Sequence, residues 1–171
     1  INLVKGTFYI SNAHGRNKEG EGFNLGEFHI DIALMPLWNR NLEIENFHIN
    51  NLKLDITENE NGLTHIAGIT LPGGEIEKED VKEDKPAKPW KITAGNMALN
   101  DIEICQRISH AEQHLCGLLS TLDWQGVISH DTAQSAGQPM IKGELRLSGI
   151  KATDMKRDQT LMSVSALTFQ D

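Results

Sequence analysis

The chain has 171 residues, of which 39% are hydrophobic and 5% aromatic, enough for one domain with a hydrophobic core. Its 16 basic and 24 acidic residues give a net charge of -8, which argues against a nucleic-acid-binding protein and disfavours attraction to anionic lipid headgroups. No stretch approaches the roughly 20 apolar residues of a membrane-spanning helix, and no secretory leader is recognisable.

A short phrase of alternating apolar residues around a small polar pair recurs along the chain. It occupies residues 47–54, 97–104 and 145–152, with a shorter copy at 8–13. Such recurrence is typical of repeat-built folds, in which each unit buries its apolar face against its neighbours. We therefore expect an architecture that makes surfaces and grooves, and seldom a small catalytic pocket.

The first clear strand pattern lies in the segment before Pro36. Four apolar residues alternate there with other residues, which predicts a strand with one buried face: Phe28, Ile30, Ile32 and Leu34. Pro36 interrupts the pattern and predicts a turn or a single helical turn. The alternation then slips by one residue at Asn46 and again at Asn50–Asn51. Bulges produce such slips, and they would keep the apolar side chains on one side of a bending sheet.

The middle of the chain contains a hairpin signal and a charged segment. Asn61-Gly62 predicts a tight turn, followed by a short strand within residues 63–71. Residues 75–89 are rich in acids and lysines and poor in apolar residues, so we predict a mobile charged loop. Its acids lack the spacing of a calcium-binding EF-hand.

One helix is predicted, near residues 110–122. Ser109 and Glu112 have the spacing of a capping box, and four leucines follow at helical intervals: Leu115, Leu118, Leu119 and Leu122. Short strand patterns fill the rest of the chain to Phe169. The predicted fold is mainly β (α+β at most): a single domain over 1–171, with a curved antiparallel sheet built from short repeats and one short helix.

The two cysteines have more than one chemical interpretation. Cys105 and Cys116 can form one disulfide or remain two buried thiols, and their spacing favours neither. With His110 and His114 they form a zinc-type ligand set, but on a regular helix His114 and Cys116 would point about 160° apart. We therefore predict no metal site.

No catalytic motif stands out. Ser129-His130-Asp131 contains the residue types of a hydrolytic triad, but neighbours in sequence cannot adopt triad geometry with one another. Phosphate-binding, dinucleotide-binding and nucleophile-elbow motifs are missing from the sequence. We expect a protein that is not an enzyme and has no cofactor.

The apolar strand faces remain as the candidate site. One short helix cannot cover so many one-faced strands, so the excess apolar surface must close on itself, meet another part of a longer protein, or hold an apolar ligand. The candidate groove residues are Phe28, Ile30, Ile32, Leu34, Phe47, Ile49, Leu52 and Leu54.

Residues 27–54, followed by the Asn61-Gly62 hairpin signal, resemble the N-terminal repeat of AsmA-like proteins, relatives of TamB. The shared pattern is an amphipathic strand, a Pro36-Leu37-Trp38 turn, a basic residue (Arg40), and a second strand that ends before the hairpin. Later segments around residues 90–104 and 122–126 resemble the following repeats more loosely.

The resemblance implies a periplasmic domain of a protein anchored in the bacterial inner membrane by a segment outside these residues. The partners it implies are lipid acyl chains, guided by an apolar β-groove, or envelope proteins. Because the sequence opens in an apolar run without Met, we also expect contacts with the rest of a longer parent chain. An oxidising periplasm favours the Cys105–Cys116 disulfide. The alternative function is an extracytoplasmic module that binds a protein or small ligand through its loops.

Overall fold

A computed structural model describes residues 5–17, 22–59, 63–67, 69–70, 89–132 and 139–170. These residues form a single open sheet of nine strands, which confirms the prediction of a mainly β fold. The strands are β1 (Lys5–Arg16), β2 (Gly22–Ala33), β3 (Asn41–Glu58), β4 (Thr64–Ile66), β5 (Ile69–Thr70), β6 (Lys91–Ile108), β7 (Gln113–Asp131), β8 (Met140–Asp154) and β9 (Gln159–Gln170).

The seven long strands follow the order β1-β2-β3-β6-β7-β8-β9, and the two short ones extend from β3. All neighbours are antiparallel except β3 and β6, which pair in parallel, so the sheet is mixed where a purely antiparallel one was expected. The parallel register joins residues 50 apart, such as Phe47 with Met97 and Leu54 with Ile104. Two copies of the repeated phrase therefore lie side by side.

A line of interrupted pairing crosses all seven long strands. At this line, which we call the crease, the pairing skips one residue on both strands of every pair, so the register on either side is unchanged. The backbone is left-handed at the crease on four strands, with φ between 53° and 62° at Asn12, Asn51, Asp101 and Gly149. The crease residues are Asn12, Gly26, Asn51, Asp101, Ser120, Gly149 and Ser165.

The predicted slip at Asn50–Asn51 coincides with this crease. A single residue in a helical conformation is the signature of a bulge, and it resets the alternation of side chains between the two faces. The second predicted slip lies beside Asn46, where the β2–β3 register shifts between Asp31 and Ile32.

The helix predicted near 110–122 is wrong. Residues 109–112 form a tight turn in which the Glu112 N–H donates to the Ser109 carbonyl at 3.2 Å, and β7 begins at Gln113. The apparent capping box is this hairpin turn, and Glu112 has a left-handed φ of 49°. Leu115 and Leu119 precede the crease residue Ser120, and Leu122 follows it. Because the alternation slips at Ser120, these three leucines lie on one face of a strand at intervals of four and three residues, which are also the intervals of a helix. Leu118 lies on the other face.

The prediction at Pro36 is confirmed, because Met35–Asn39 forms one turn of 3-10 helix ending at a left-handed Arg40. Residues 60–62 and 71–88 lie outside the described residues, and with them the Asn61-Gly62 turn and nearly all of the predicted charged loop. Within the described ranges, no helix is long and apolar enough to cross a membrane.

Candidate functional site: the apolar face of the sheet

Apolar side chains form four continuous rows across the seven long strands. Residues paired directly across strands share a face of the sheet, and so do residues two apart on one strand. Rows 1 and 2 therefore share a face, as do rows 3 and 4. Because the crease resets the alternation between rows 2 and 3, all four rows lie on one face, which we call the apolar face.

Every position in the four rows is apolar or glycine, and the crease runs between rows 2 and 3. In strand order, row 1 is Phe8, Ile30, Phe47, Met97, Trp124, Leu145 and Phe169; row 2 is Ile10, Phe28, Ile49, Leu99, Leu122, Leu147 and Leu167; row 3 is Ala13, Leu25, Leu52, Ile102, Leu119, Ile150 and Val164; row 4 is Gly15, Phe23, Leu54, Ile104, Gly117, Ala152 and Met162.

The rows hold together through contacts within the sheet. Phe8, Phe28 and Phe47 make successive edge-to-face contacts, with ring centroids 6.0 and 5.6 Å apart. Such aromatic pairs stabilise neighbouring strands by about 0.5–1.5 kcal/mol beyond the area they bury. These contacts join β1, β2 and β3 at one end of the face.

No second layer covers the apolar face among the described residues. Among the described residues, Ala33 and Trp124 are the only buried hydrophobic residues, and no large side chain is fully buried. At the sheet edges the rows are open to solvent, with Phe8 57% and Phe169 62% exposed. A sheet with one apolar face normally buries it against another layer, so this face lacks its expected cover.

The predicted groove residues lie within the four rows or next to them. Six of them occupy the four rows on β2 and β3: Phe28, Ile30, Phe47, Ile49, Leu52 and Leu54. Ile32 lies beyond row 1 and pairs with Ile44, but it is two residues from Ile30 on β2 and therefore shares the same face. Leu34 lies past the end of β2, with its side chain close to Gly6. The rows on β1 and β6–β9 were not included in the predicted site, although the repeat copies at 97–104 and 145–152 signalled them.

The opposite face is polar and carries its own interactions. Lys53 and Glu103 form an ion pair at 3.0 Å across the parallel strands, and the Asn100 amide lies 3.2 Å from His48. Thr121 and Ser148 share a hydrogen bond of 2.6 Å. The sheet therefore separates a hydrogen-bonded polar face from an apolar one.

Asp31 is the centre of the polar cluster at one end of this face. Its carboxylate accepts hydrogen bonds from Thr7 Oγ1 at 2.7 Å and Asn46 Nδ2 at 3.0 Å, and His29 Nε2 lies 3.0 Å away. The hydrogen bonds from Thr7 and then Asn46 lower the pKa of Asp31 to about 2; burial opposes them, and His29 adds a smaller lowering effect. This carboxylate therefore links β1, β2 and β3 in its ionised form.

The two cysteines form a disulfide. Cys105 and Cys116 are directly opposite on β6 and β7, with their Cα atoms 4.1 Å apart. His114 Nε2 lies 3.9 Å from Cys116 Sγ, so three zinc-type ligands do come together, unlike on the predicted helix. The disulfide bond occupies both sulfurs, and His110 instead faces Glu58 at 3.6 Å.

Ser129, His130 and Asp131 are consecutive residues of β7, so their side chains alternate between the two faces. The candidate site is therefore a surface, with a broad apolar face on one side of the sheet and a polar, partly charged face on the other.

Comparison with protein-family models finds none that matches the chain, and comparison with curated proteins also finds no match.

Proposed function

We propose that this chain is a non-enzymatic lipid-handling module whose apolar face receives acyl chains. The observation that carries the proposal is the set of four unbroken apolar rows with no covering layer among the described residues. Acyl chains suit such a surface because it offers rows of aliphatic and aromatic contacts, in which the indole N–H of Trp124 is the only polar side-chain N or O atom.

The dimensions of the face favour a lipid over a small apolar molecule. Six interstrand spacings of about 4.8 Å make each row about 29 Å long, roughly twice the half-thickness of a bilayer's hydrocarbon core. Rows 1 to 4 span eight residues along a strand, which is seven steps of about 3.3 Å or about 23 Å, giving an area of roughly 650 Å². Monomeric proteins seldom expose a larger apolar patch than this without a functional reason.

The resemblance of residues 27–54 to AsmA-like repeats supports a setting for this activity. We propose that the chain is the periplasmic part of a protein anchored to the bacterial inner membrane, where it contributes to lipid transfer or envelope biogenesis. The Cys105–Cys116 disulfide agrees with an oxidising compartment.

A pair of matched variants tests the proposal. Leu99 lies at the middle of row 2, between Ile49 and Leu122, whereas the next residue, Asn100, lies on the polar face. Leu99→Asp places a carboxylate among the acyl-binding rows, and Asn100→Asp adds the same charge on the opposite side. We expect Leu99→Asp to abolish binding of a fluorescent fatty acid while both variants keep a circular-dichroism melt close to that of the wild type.

Two results would contradict the proposal. Collapse of the Leu99→Asp melt would mean that the face is a closed core, because burying an unpaired carboxylate costs several kcal/mol of a total stability of about 5–15 kcal/mol. Unchanged fatty-acid binding in a folded Leu99→Asp protein would remove this face from lipid binding and favour an interaction module that acts through its loops.

A further inference from the structure

Among the described residues the sheet has two open edges, and the β9 edge has little of the usual protection: one bulge, at Leu161 near its start. Edge strands normally carry charges, proline or bulges that prevent pairing with other chains. β9 has 12 residues without an Asp, Glu, Lys, Arg or Pro, and it is the only one of the seven long strands without a charged side chain of these types. Three of its four row residues are exposed, including Leu167 at 52% and Phe169 at 62%.

The long strands are of two types, and the way these types pair indicates which type of strand could pair with the β9 edge. β1, β3, β6 and β8 run from row 1 to row 4 and carry a left-handed Asn, Asp or Gly at the crease. β2, β7 and β9 run from row 4 to row 1 and carry Gly or Ser there. Every antiparallel contact between long strands joins one strand of each type. An antiparallel neighbour of β9 would therefore be a strand of the first type.

We propose that β9 pairs with β1 of a second copy of this chain, antiparallel and head to tail. β1 is the strand of the first type that lies free at the opposite edge. Aligning the crease residues Ser165 and Asn12 sets the register, and each row then continues into the same row of the second copy. The resulting opposite pairs are Phe169 with Phe8, Leu167 with Ile10, Val164 with Ala13, and Met162 with Gly15.

Charge does not oppose this contact. β1 contributes Lys5, His14 and Arg16, and β9 has no charged side chain to repel them. Because the two surfaces differ, the contact is heterologous and repeats from copy to copy, producing open arrays or closed rings and not two-fold dimers. The inference depends on the strand edges and not on what binds the apolar face.

Engineered cysteines test the register directly. Tyr9 and Thr168 face each other between copies in the proposed pairing, both on the polar side. The double variant Tyr9→Cys/Thr168→Cys should form a ladder of disulfide-linked dimers, trimers and larger species under mild oxidation. The control Ser11→Cys/Thr168→Cys, displaced by two residues, should form far fewer.

Several outcomes would overturn the proposal. Equal ladders from both double variants would mean random collision, and absence of a ladder would mean that the edges do not meet. Dimers from Thr168→Cys alone would show that β9 pairs with itself.

A second measurement uses charge in place of cross-linking. Leu167→Lys places an ammonium in row 2, where edge pairing would bury it, whereas Thr168→Lys adds the same charge on the polar face. In sedimentation velocity, we expect wild type and Thr168→Lys to grow in mass with concentration and Leu167→Lys to remain monomeric with an unchanged melt. A wild type that is monomeric at all concentrations contradicts the proposal, as does equal association of both lysine variants.

Discussion

At the scale of single residues, four left-handed positions account for the slip in apolar alternation at the crease on β1, β3, β6 and β8. Asn, Asp and Gly are the residues that adopt this conformation at least cost, and they occupy it at Asn12, Asn51, Asp101 and Gly149. On the neighbouring strand β2, a side chain at Gly26 would lie 3.0 Å from the Asn50 carbonyl, so the crease also demands small residues. The small polar pair recurs in the sequence because one of its two residues adopts the left-handed backbone conformation of the crease.

Replacing Asn51 by a β-branched residue should destabilise the sheet. Asn51 has φ of 55°, and Val strongly disfavours the left-handed region, so we expect Asn51→Val to lower the free energy of unfolding by about 2 kcal/mol. Asn51→Gly is the matched control and should be nearly neutral. Urea denaturation measures both, and equal stability of the two variants would contradict the role assigned to the crease.

Ionisation of Asp31 should make part of the stability dependent on pH. Its pKa falls from 3.8 to about 2 on folding, so the unfolded chain takes up the proton first as the pH drops. The stabilisation is complete above pH 3.8 and is lost as the pH falls towards 2.

Thr7→Val removes the shortest hydrogen bond to the Asp31 carboxylate, so it should raise the pKa of Asp31 and shift this loss of stability to higher pH. An NMR titration of the Asp31 carboxyl together with melts across the acid range checks both effects. If the pKa of Asp31 in the wild type were at its usual value, the hydrogen bonds assigned to its carboxylate would be wrong.

At the scale of elements, β7 shows where sequence reasoning succeeds and where it fails. Period-two alternation predicts strands such as β2 and β3, whose apolar residues do not also fit a helical spacing. β7 was predicted as a helix because its leucines fall on both sides of a crease, and no local pattern distinguishes that slip from a helical period. The repeats at 47–54 and 97–104 identified the crease on β3 and β6, but β7 runs in the opposite direction and its copy is reversed.

Reduction of the disulfide should loosen the β6–β7 hairpin. Cys105 and Cys116 close a loop with a sequence separation of 11, and a loop of this size contributes on the order of 3 kcal/mol. We expect a thiol reductant to lower the melting temperature of the wild type. The double variant Cys105→Ser/Cys116→Ser should melt at the reduced value and show no response to reductant. Two alkylated thiols in protein made under oxidising conditions would contradict the bond.

At the scale of the whole molecule, the sequence was sufficient for the mainly β class and for an excess of apolar sheet surface. It was not sufficient for the parallel contact between β3 and β6, because the chain between Glu58 and Lys91 gives no pattern that fixes strand order. It also located only the β2–β3 part of the apolar face, since the full rows emerge only when seven strands are placed in register.

An apolar face of this size, which no layer covers within the described ranges, should make stability depend on an apolar ligand. A ligand that binds the folded chain and not the unfolded one raises stability by mass action, by about 2.7 kcal/mol at a hundredfold excess over Kd. We therefore expect long-chain fatty acid to raise the melting temperature of the wild type and to leave that of Leu99→Asp unchanged. An equal rise in both proteins would show that the fatty acid acts elsewhere.

The most direct test of the account is native mass spectrometry of the protein purified from a bacterial envelope fraction, followed by lipid extraction. The account predicts mass increments that correspond to bound lipid, retained in Asn100→Asp and missing in Leu99→Asp. A wild-type protein that carries no lipid, and that takes up none from phospholipid vesicles, would contradict the assignment of the apolar face to acyl chains.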